Sequence, residues 1–231
     1  MIDFHSHILP EMDDGSESVD LTRKMLRASA QDGVTEIVAT PHFYADQENP
    51  SDFLKRREEA RQKVLPLYGS FDGLPAMRMG AEVRYFDGMS IASGMERLCI
   101  QGTSLMLVEM PFRSWTESML RELSGLQERG IMPILAHVDR YNAFRDDALL
   151  RRLRAEEIYL QLNADALLRG LRSWRAIRRV GKLEVDILGS DCHSMGQRSP
   201  NLQKAQEIIV RRCGDHVMER LTRNAEKLLR E

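Results

Sequence analysis

The sequence predicts an α/β fold of about seven mostly parallel strands, on three observations. Short apolar runs alternate with longer segments of helical period along the whole chain. Runs such as MPILAHV and SLMLVEM are apolar on both faces, as a parallel sheet covered by helices requires. Gly33, Gly69 and Gly130 each close a helical segment just before the next strand. Such alternation fits either a barrel or an open sheet, and 231 residues are enough for a barrel.

The chain starts on a strand, IDFHSH (2–7), followed by a helical segment, SVDLTRKMLRASAQDG (18–33). TEIVATPHF (35–43) reads as the second strand and SDFLKRREEARQKVLPLYG (51–69) as its helix. MRMGAEVRY (77–85) is the third strand, with a less regular stretch after it. SLMLVEMPF (104–112) precedes the helix TESMLRELSGLQERG (116–130), and IMPILAHVDRY (131–141) precedes DDALLRRLRAEE (146–157). IYLQLNADAL (158–167) precedes RSWRAIRRVGKL (172–183). VDILGSDCHS (185–194) is the seventh strand, followed by NLQKAQEIIVRRCGD (201–215) and a last helix, HVMERLTRNAEKLLRE (216–231). No linker, repeat or low-complexity segment interrupts the series, so residues 1–231 read as one domain.

Charge is balanced, with 33 Lys+Arg against 35 Asp+Glu, so nothing demands a nucleic acid or membrane surface. No apolar run approaches the roughly 18 residues of a membrane span. The N-terminal MIDFHSHILPEMDDG lacks the basic and apolar regions of a signal peptide. Cys99, Cys192 and Cys213 are odd in number and form no CxxC, which suits a reducing cytoplasm. Nothing in the sequence speaks to oligomeric state.

In a β/α barrel the site is built at the C-terminal ends of the strands. Five of the six histidines fall there: His5, His7, His42, His137 and His193. His5 and His7 are two apart, so a strand aims both at one face, and Asp191 and His193 repeat the spacing. Glu82 and Glu109 interrupt apolar runs, where an ionised carboxylate is costly unless a cation compensates it. Asp13, Asp14 and Gly15 follow the first strand. Singly, a strand-end His is more often a hydrogen-bonded structural residue than a ligand, an isolated Glu usually faces solvent, and Asp-Asp-Gly is a turn. One shared site explains six strand ends better than six coincidences. Mixed His and carboxylate donors suit Mn²⁺, Fe²⁺ or Zn²⁺. The donors are too many for one ion, so two or three bridged by a carboxylate are expected.

The stretches FHSHILPEMDDG, ATPHF, GAE, VEMPF, AHVDRY and GSDCHS resemble, in order, the metal-dependent phosphoesterases of the polymerase and histidinol phosphatase (PHP) superfamily. The match is most similar to the bacterial protein-tyrosine phosphatases of capsular and exopolysaccharide clusters. The resemblance implies a distorted β/α barrel with a trinuclear site in which Mn²⁺ is favoured. It implies His5, His7, Glu82 and Asp191 around one metal, Glu82, Glu109 and His137 around a second, and Asp14, His42 and His193 around the third. It implies that Arg140 and Arg198 bind phosphate, and that the substrate is a phosphotyrosine protein such as a bacterial tyrosine kinase controlling polysaccharide export. Substrate detail is expected to vary in FYADQENPSD (43–52).

Chemistry consistent with that expectation uses a metal-acidified water, its pKa lowered toward about 7, in line with the leaving group. Arginine forks match phosphate oxygens. Asp139, beside Arg140, is a candidate to orient that Arg or to serve as an acid, and reads better as a solvated loop residue. A rival reading takes Cys192 with Arg198 and Ser199 as the Cys-x5-Arg-Ser loop of thiolate phosphatases. With 27 arginines in 231 residues that spacing arises easily by chance, and alternation turns Cys192 away from Asp191 and His193. A small buried hydrophobe is the better reading of Cys192. Histidinol-phosphate phosphatase is a neighbouring alternative. An amidohydrolase would need a bridging lysine, yet all six lysines lie in helical segments or at their ends. A non-catalytic metal-stabilised regulator is the alternative of a different class. Arg172, Arg175, Arg179 and Lys182 recur at helical spacing and read as a solvated outer face; its functional reading is docking of an acidic or phosphotyrosine-bearing tail.

Overall fold

Strands and helices alternate from end to end of the computed structural model, which describes residues 1–230. In chain order they are β1 (Ile2–Ser6), α1 (Val19–Gln31), β2 (Glu36–Ala39), β3 (His42–Phe43), α2 (Pro50–Ser70), β4 (Ala76–Met79) and β5 (Glu82–Arg84). Then come β6 (Leu105–Glu109), α3 (Glu117–Glu128), β7 (Met132–Leu135), α4 (Asp147–Ala155), β8 (Tyr159–Asn163) and α5 (Asp165–Leu168). The chain finishes with α6 (Trp174–Gly181), β9 (Ile187–Gly189), α7 (Leu202–Cys213) and α8 (Asp215–Leu228). The pairings between these strands are parallel.

β1, β2 and β4 form one sheet, and β3, β5, β6, β7, β8 and β9 form a second in that order. The second predicted strand is split at Thr40-Pro41 into β2 and β3, where Pro41 has no N–H for the ladder. The third is split at Gly80-Ala81 into β4 and β5. The parallel sheet curls until the chain beyond β9 meets β1. There the Asp191 N–H donates to the His5 carbonyl at 2.8 Å, and the His7 N–H donates to the Cys192 carbonyl at 2.9 Å. The predicted α/β class and barrel-like curl are both present.

Local signals explain most boundaries. The Ser18 hydroxyl accepts from the Leu21 N–H to start α1, and the Asp146 carboxylate accepts from Ala148 and Leu149 to start α4. Gly33 and Gly130 follow α1 and α3 at φ 78° and 77°. Gly69 does not play this part: α2 runs through it to Ser70. Three predicted strands end early. AHVDRY leaves the sheet at Leu135, NADAL turns helical after Asn163, and SDCHS lies beyond β9. Loops at the sheet's C-terminal edge, not strand alternation, therefore carry His137, Asp191 and His193.

Beneath the site lies an apolar floor. Glu82 pairs with Leu107, Leu107 with Ile134, and Gln161 with Ile187. Parallel neighbours share a face, so these apolar side chains sit on the same side of the sheet as Glu82 and Gln161. Leu107, Ile134 and Ile187 are fully buried and cluster with Phe4, Val38 and the α8 end at Leu228 and Leu229. The expected solvated basic face of α6 is corrected at Arg179. Its guanidinium is buried and reaches Asp147 at 2.5 Å, Glu184 at 2.8 Å and the Phe144 carbonyl at 3.1 Å. It ties α6 to the start of α4.

Candidate functional site

Glu82 is the centre of the site. It opens β5 and is fully buried. His5 Nε2, His7 Nε2 and His42 Nδ1 lie 3.1, 3.2 and 3.0 Å from its Oε2, and His137 Nε2 lies 2.7 Å from its Oε1. These imidazoles come from β1 and its end, β3, and the loop after β7. Parallel pairing brings them together, since His42 stands directly beside Glu82 in register.

The remaining candidates join the same cluster. His137 Nε2 is 3.4 Å from Glu109 Oε1, and His5 Nε2 is 3.5 Å from Asp191 Oδ1. Asp14 Oδ1 lies 3.4 Å from His42 Nε2 and 3.3 Å from His193 Nε2. The structure thus gathers all nine expected ligand residues. Donor atoms within 4.8 Å of one another group as His5, His7 and Glu82; as His7, Asp14, His42 and His193; and as His42, Glu82 and Glu109. His42 and His7 each reach more than one group, so the grouping overlaps more than the three sets implied by resemblance.

The donors fit a metal better than they fit one another. Glu82 Oε2 has three imidazole nitrogens within 3.2 Å yet forms no hydrogen bond, and buried His42 Nδ1 and His193 Nε2 also lack one. Their lone pairs converge on shared space. His5 and His7 face each other through Nε2 atoms 3.0 Å apart. Their Nδ1 atoms are engaged elsewhere, by Gln161 Oε1 at 3.1 Å and Asp13 Oδ2 at 2.7 Å. With a proton held at each Nδ1, the two Nε2 lone pairs oppose each other unless a cation lies between them.

Electrostatics agree. Burial opposes charge on His7, but its hydrogen bond to Asp13 and the nearby Glu82 carboxylate push its pKa up to about 10. Burial opposes charge on His137 too, yet Glu109 and Glu82 push it up to about 9. Glu82 is held well below the usual carboxylate range despite burial, by His5 and the other imidazoles. Burial, with His7 and Arg198, lowers His193 to about 4, leaving it a neutral donor. The carboxylates gather positive charge as protons, which a divalent ion would replace.

Backbone strain falls on the same residues. His137 and Asp191 adopt left-handed φ values of 34° and 52°, a conformation that costs a non-glycine residue about 1–2 kcal/mol. Gly189 allows the approach of β9 to β1: a Cβ there would meet His5 Cβ at 2.5 Å and Gln161 Nε2 at 2.7 Å. Gly189→Ala is expected to destabilise the fold by about 1–3 kcal/mol through overpacking and to reduce bound metal. Thermal melting and metal analysis check this.

Asp13, Gln161 and Asn163 support the cluster and were not among the expected site residues. Asp13 holds His7 and accepts from the His42 N–H at 2.9 Å. Gln161 Oε1 also accepts from the His137 N–H at 2.7 Å, and Gln161 Nε2 donates to Asn163 Oδ1 at 3.0 Å. Asn163 Nδ2 donates to Asp191 Oδ2 at 2.8 Å. Two polar side chains, two apart in IYLQLN, were the signal available. Asp139 is not the solvated residue expected. Its carboxylate is 5 % exposed, accepts from the Asn163 N–H at 3.3 Å and faces Arg169 at 3.5 Å.

Arg140 and Arg198 come from separate loops and converge on one carboxylate. Arg140 Nη2 donates to Asp191 Oδ2, and Arg198 Nη2 donates to Oδ1 at 2.6 Å. Both guanidinium groups are about one-third exposed at the mouth. Cys192 is fully buried in the apolar core, and burial, with Asp3 nearby, raises its thiol pKa well above the usual value. A thiolate nucleophile needs the opposite surroundings. Cys192→Ser is expected to retain more than about half of the activity, read as turnover at matched metal content. Loss of turnover with metal intact would restore the thiolate reading.

A family model for capsular polysaccharide synthesis, CpsB/CapC, matches residues 1–230. The tyrosine-protein phosphatase YwqE of Bacillus subtilis is 27% identical over 100% of this chain and 92% of its own length. The tyrosine-protein phosphatase CpsB of Streptococcus pneumoniae is 27% identical over 93% and 91%. A crystal structure of these proteins, described as unique metal-dependent tyrosine phosphatases, superposes with a TM-score of 0.85 at 26% identity. It covers 100% of this chain and 94% of that one.

Proposed function

The chain belongs to the CpsB/CapC family of capsular polysaccharide synthesis, and on that premise we propose that it is a metal-dependent protein-tyrosine phosphatase. The observation that carries this reading is the convergence of four imidazoles on the buried Glu82 carboxylate, with two arginines at the mouth. We assign His5, His7, Glu82 and Asp191 to one metal, Glu82, Glu109 and His137 to a second, and Asp14, His42 and His193 to a third. When bound, divalent ions would supply Lewis-acid charge to the phosphate oxygens and acidify the attacking water; Mn²⁺ is the favoured ion.

The chain's own side chains supply the rest. Arg140 and Arg198 present planar forks to the phosphate oxygens and hold phosphorus over the cluster. Asp13 and Gln161 keep a proton on Nδ1 of His7 and His5, so that each Nε2 faces inward. Phe112, 60 % exposed, stacks on His137 with ring centroids 6.0 Å apart, and Tyr44 stacks on His42 at 5.3 Å. These rings offer faces to a tyrosyl ring whose phosphate lies over the cluster. Asp139 is not required as an acid, because a phenolate leaves with a pKa near about 10.

The proposed substrate is a phosphotyrosine protein, with a tyrosine kinase of capsular or exopolysaccharide synthesis as the leading candidate. A cytoplasmic location suits the free thiols of Cys99, Cys192 and Cys213. Among the described residues no helix is long and apolar enough to cross a membrane. Exhaustive chelation is expected to abolish hydrolysis of a phosphotyrosine peptide, and added Mn²⁺ to restore it. Full turnover by protein shown to hold no metal would sink this reading.

A further inference from the structure

A cavity of about 590 Å³ lies beside the site, lined by Arg169, Arg172, Arg175, Trp174, Phe144 and Asp139. Its walls come from the connections after β7 and β8, neighbouring strands of the sheet. It therefore opens on the same C-terminal edge as the metal cluster. Asp139 adjoins Arg140, and the Asn163 it binds also holds Asp191.

Charge in this cavity is unbalanced. Arg169 is partly satisfied, lying 2.8 Å from Asp165 and 3.5 Å from Asp139. Among the described residues no carboxylate forms an ion pair with Arg172 or Arg175. The Arg175 guanidinium instead lies 5.0 Å from the Trp174 ring. Trp174 is 55 % exposed and neighbouring Leu171 is 98 % exposed. An uncovered indole and leucine beside two unpaired guanidinium groups make a surface with both charge and apolar area to offer.

Resting on the phosphatase reading, we infer that this cavity is an accessory oxyanion site, taking an acidic or phosphorylated side chain of the same polypeptide whose phosphotyrosine occupies the metal cluster. Arg172 and Arg175 bind the anion, and Trp174 and Leu171 receive the apolar part of the segment. The volume accommodates a whole side chain. Such a site raises affinity for the polypeptide and leaves the chemical step alone, because its guanidinium groups do not touch the reacting phosphate.

The Mn²⁺-loaded enzyme is compared with the Arg172→Ala/Arg175→Ala variant on four substrates. These are p-nitrophenyl phosphate, a phosphotyrosine peptide with neutral flanks, the same peptide with aspartate flanks, and one with a second phosphotyrosine. Wild type is expected to show a KM about tenfold lower for the anionic peptides than for the neutral one. The variant loses that preference with kcat unchanged and p-nitrophenyl phosphate turnover intact. The aspartate and second-phosphotyrosine arms tell which oxyanion the cavity prefers. Equal KM values in wild type, or a preference the variant keeps, would overturn the assignment.

A binding readout separates this inference from the phosphatase reading. An aspartate-rich peptide without phosphotyrosine is expected to change the tryptophan fluorescence of wild type. The change should vanish in Arg172→Ala/Arg175→Ala and in Trp174→Phe, which leaves Trp115 as the remaining tryptophan. No change in wild type overturns the site whatever the enzyme hydrolyses. A change of the expected pattern without phosphotyrosine turnover keeps the cavity and sinks the catalytic reading.

Discussion

Glu82→Gln is expected to lower kcat/KM for a phosphotyrosine peptide by about 10³-fold or more, since removing one preorganised electrostatic group at a reacting centre already costs about 10²–10³-fold. The substitution keeps the shape of the side chain and removes its charge. No other carboxylate of the cluster stands within 3.2 Å of four imidazoles, as Glu82 does with His5, His7, His42 and His137. A neutral amide cannot bridge two cations, and its NH₂ would point at nitrogens that are themselves donors to metal. Metal per chain should fall together with turnover. Elemental analysis beside steady-state kinetics checks this, and a variant with full metal and turnover within tenfold of wild type would refute the bridging role.

Arg140→Ala and Arg198→Ala are expected to lower kcat/KM by about 10–100-fold each, the worth of one charge-assisted contact of about 1.5–3 kcal/mol. Metal content should stay near wild type, which separates these variants from Glu82→Gln. The two effects should not add, because both guanidinium groups share Asp191. Lysine at either position should recover only part of the loss, since it lacks the planar fork. Inhibition by inorganic phosphate gives an independent readout, weakening in parallel with kcat/KM. Undiminished phosphate affinity in both variants would remove them from the phosphate site.

Much of the site was legible in the chain because its chemistry is expensive elsewhere. Carboxylates inside apolar runs are costly without a cation, and histidines recurring at the strand ends meet at one edge of the sheet, so His5, His42, Glu82 and Glu109 declare themselves. Asp13 and Gln161 did not. The first Asp of Asp-Asp-Gly is equally part of a turn, and a Gln in a strand is equally a solvent-facing residue, until the fold shows what each one touches. Asp139 and Arg179 were misplaced for a related reason. Whether a charged loop or helix residue is solvated depends on which segments lie over it, and those come from distant parts of the chain.

By itself the sequence determined the α/β alternation, the periodic apolar faces that bury the sheet, and the donor types that reach its C-terminal edge. These are local properties, set by side-chain chemistry and a repeat of two or 3.6 residues. Only the tertiary structure decided which donors share an oxygen and how the sheet curls until Asp191 meets His5. It also left Arg172 and Arg175 facing a cavity. Distances of about 3 Å between residues far apart in sequence arise from parallel register and loop closure, which are global packing outcomes.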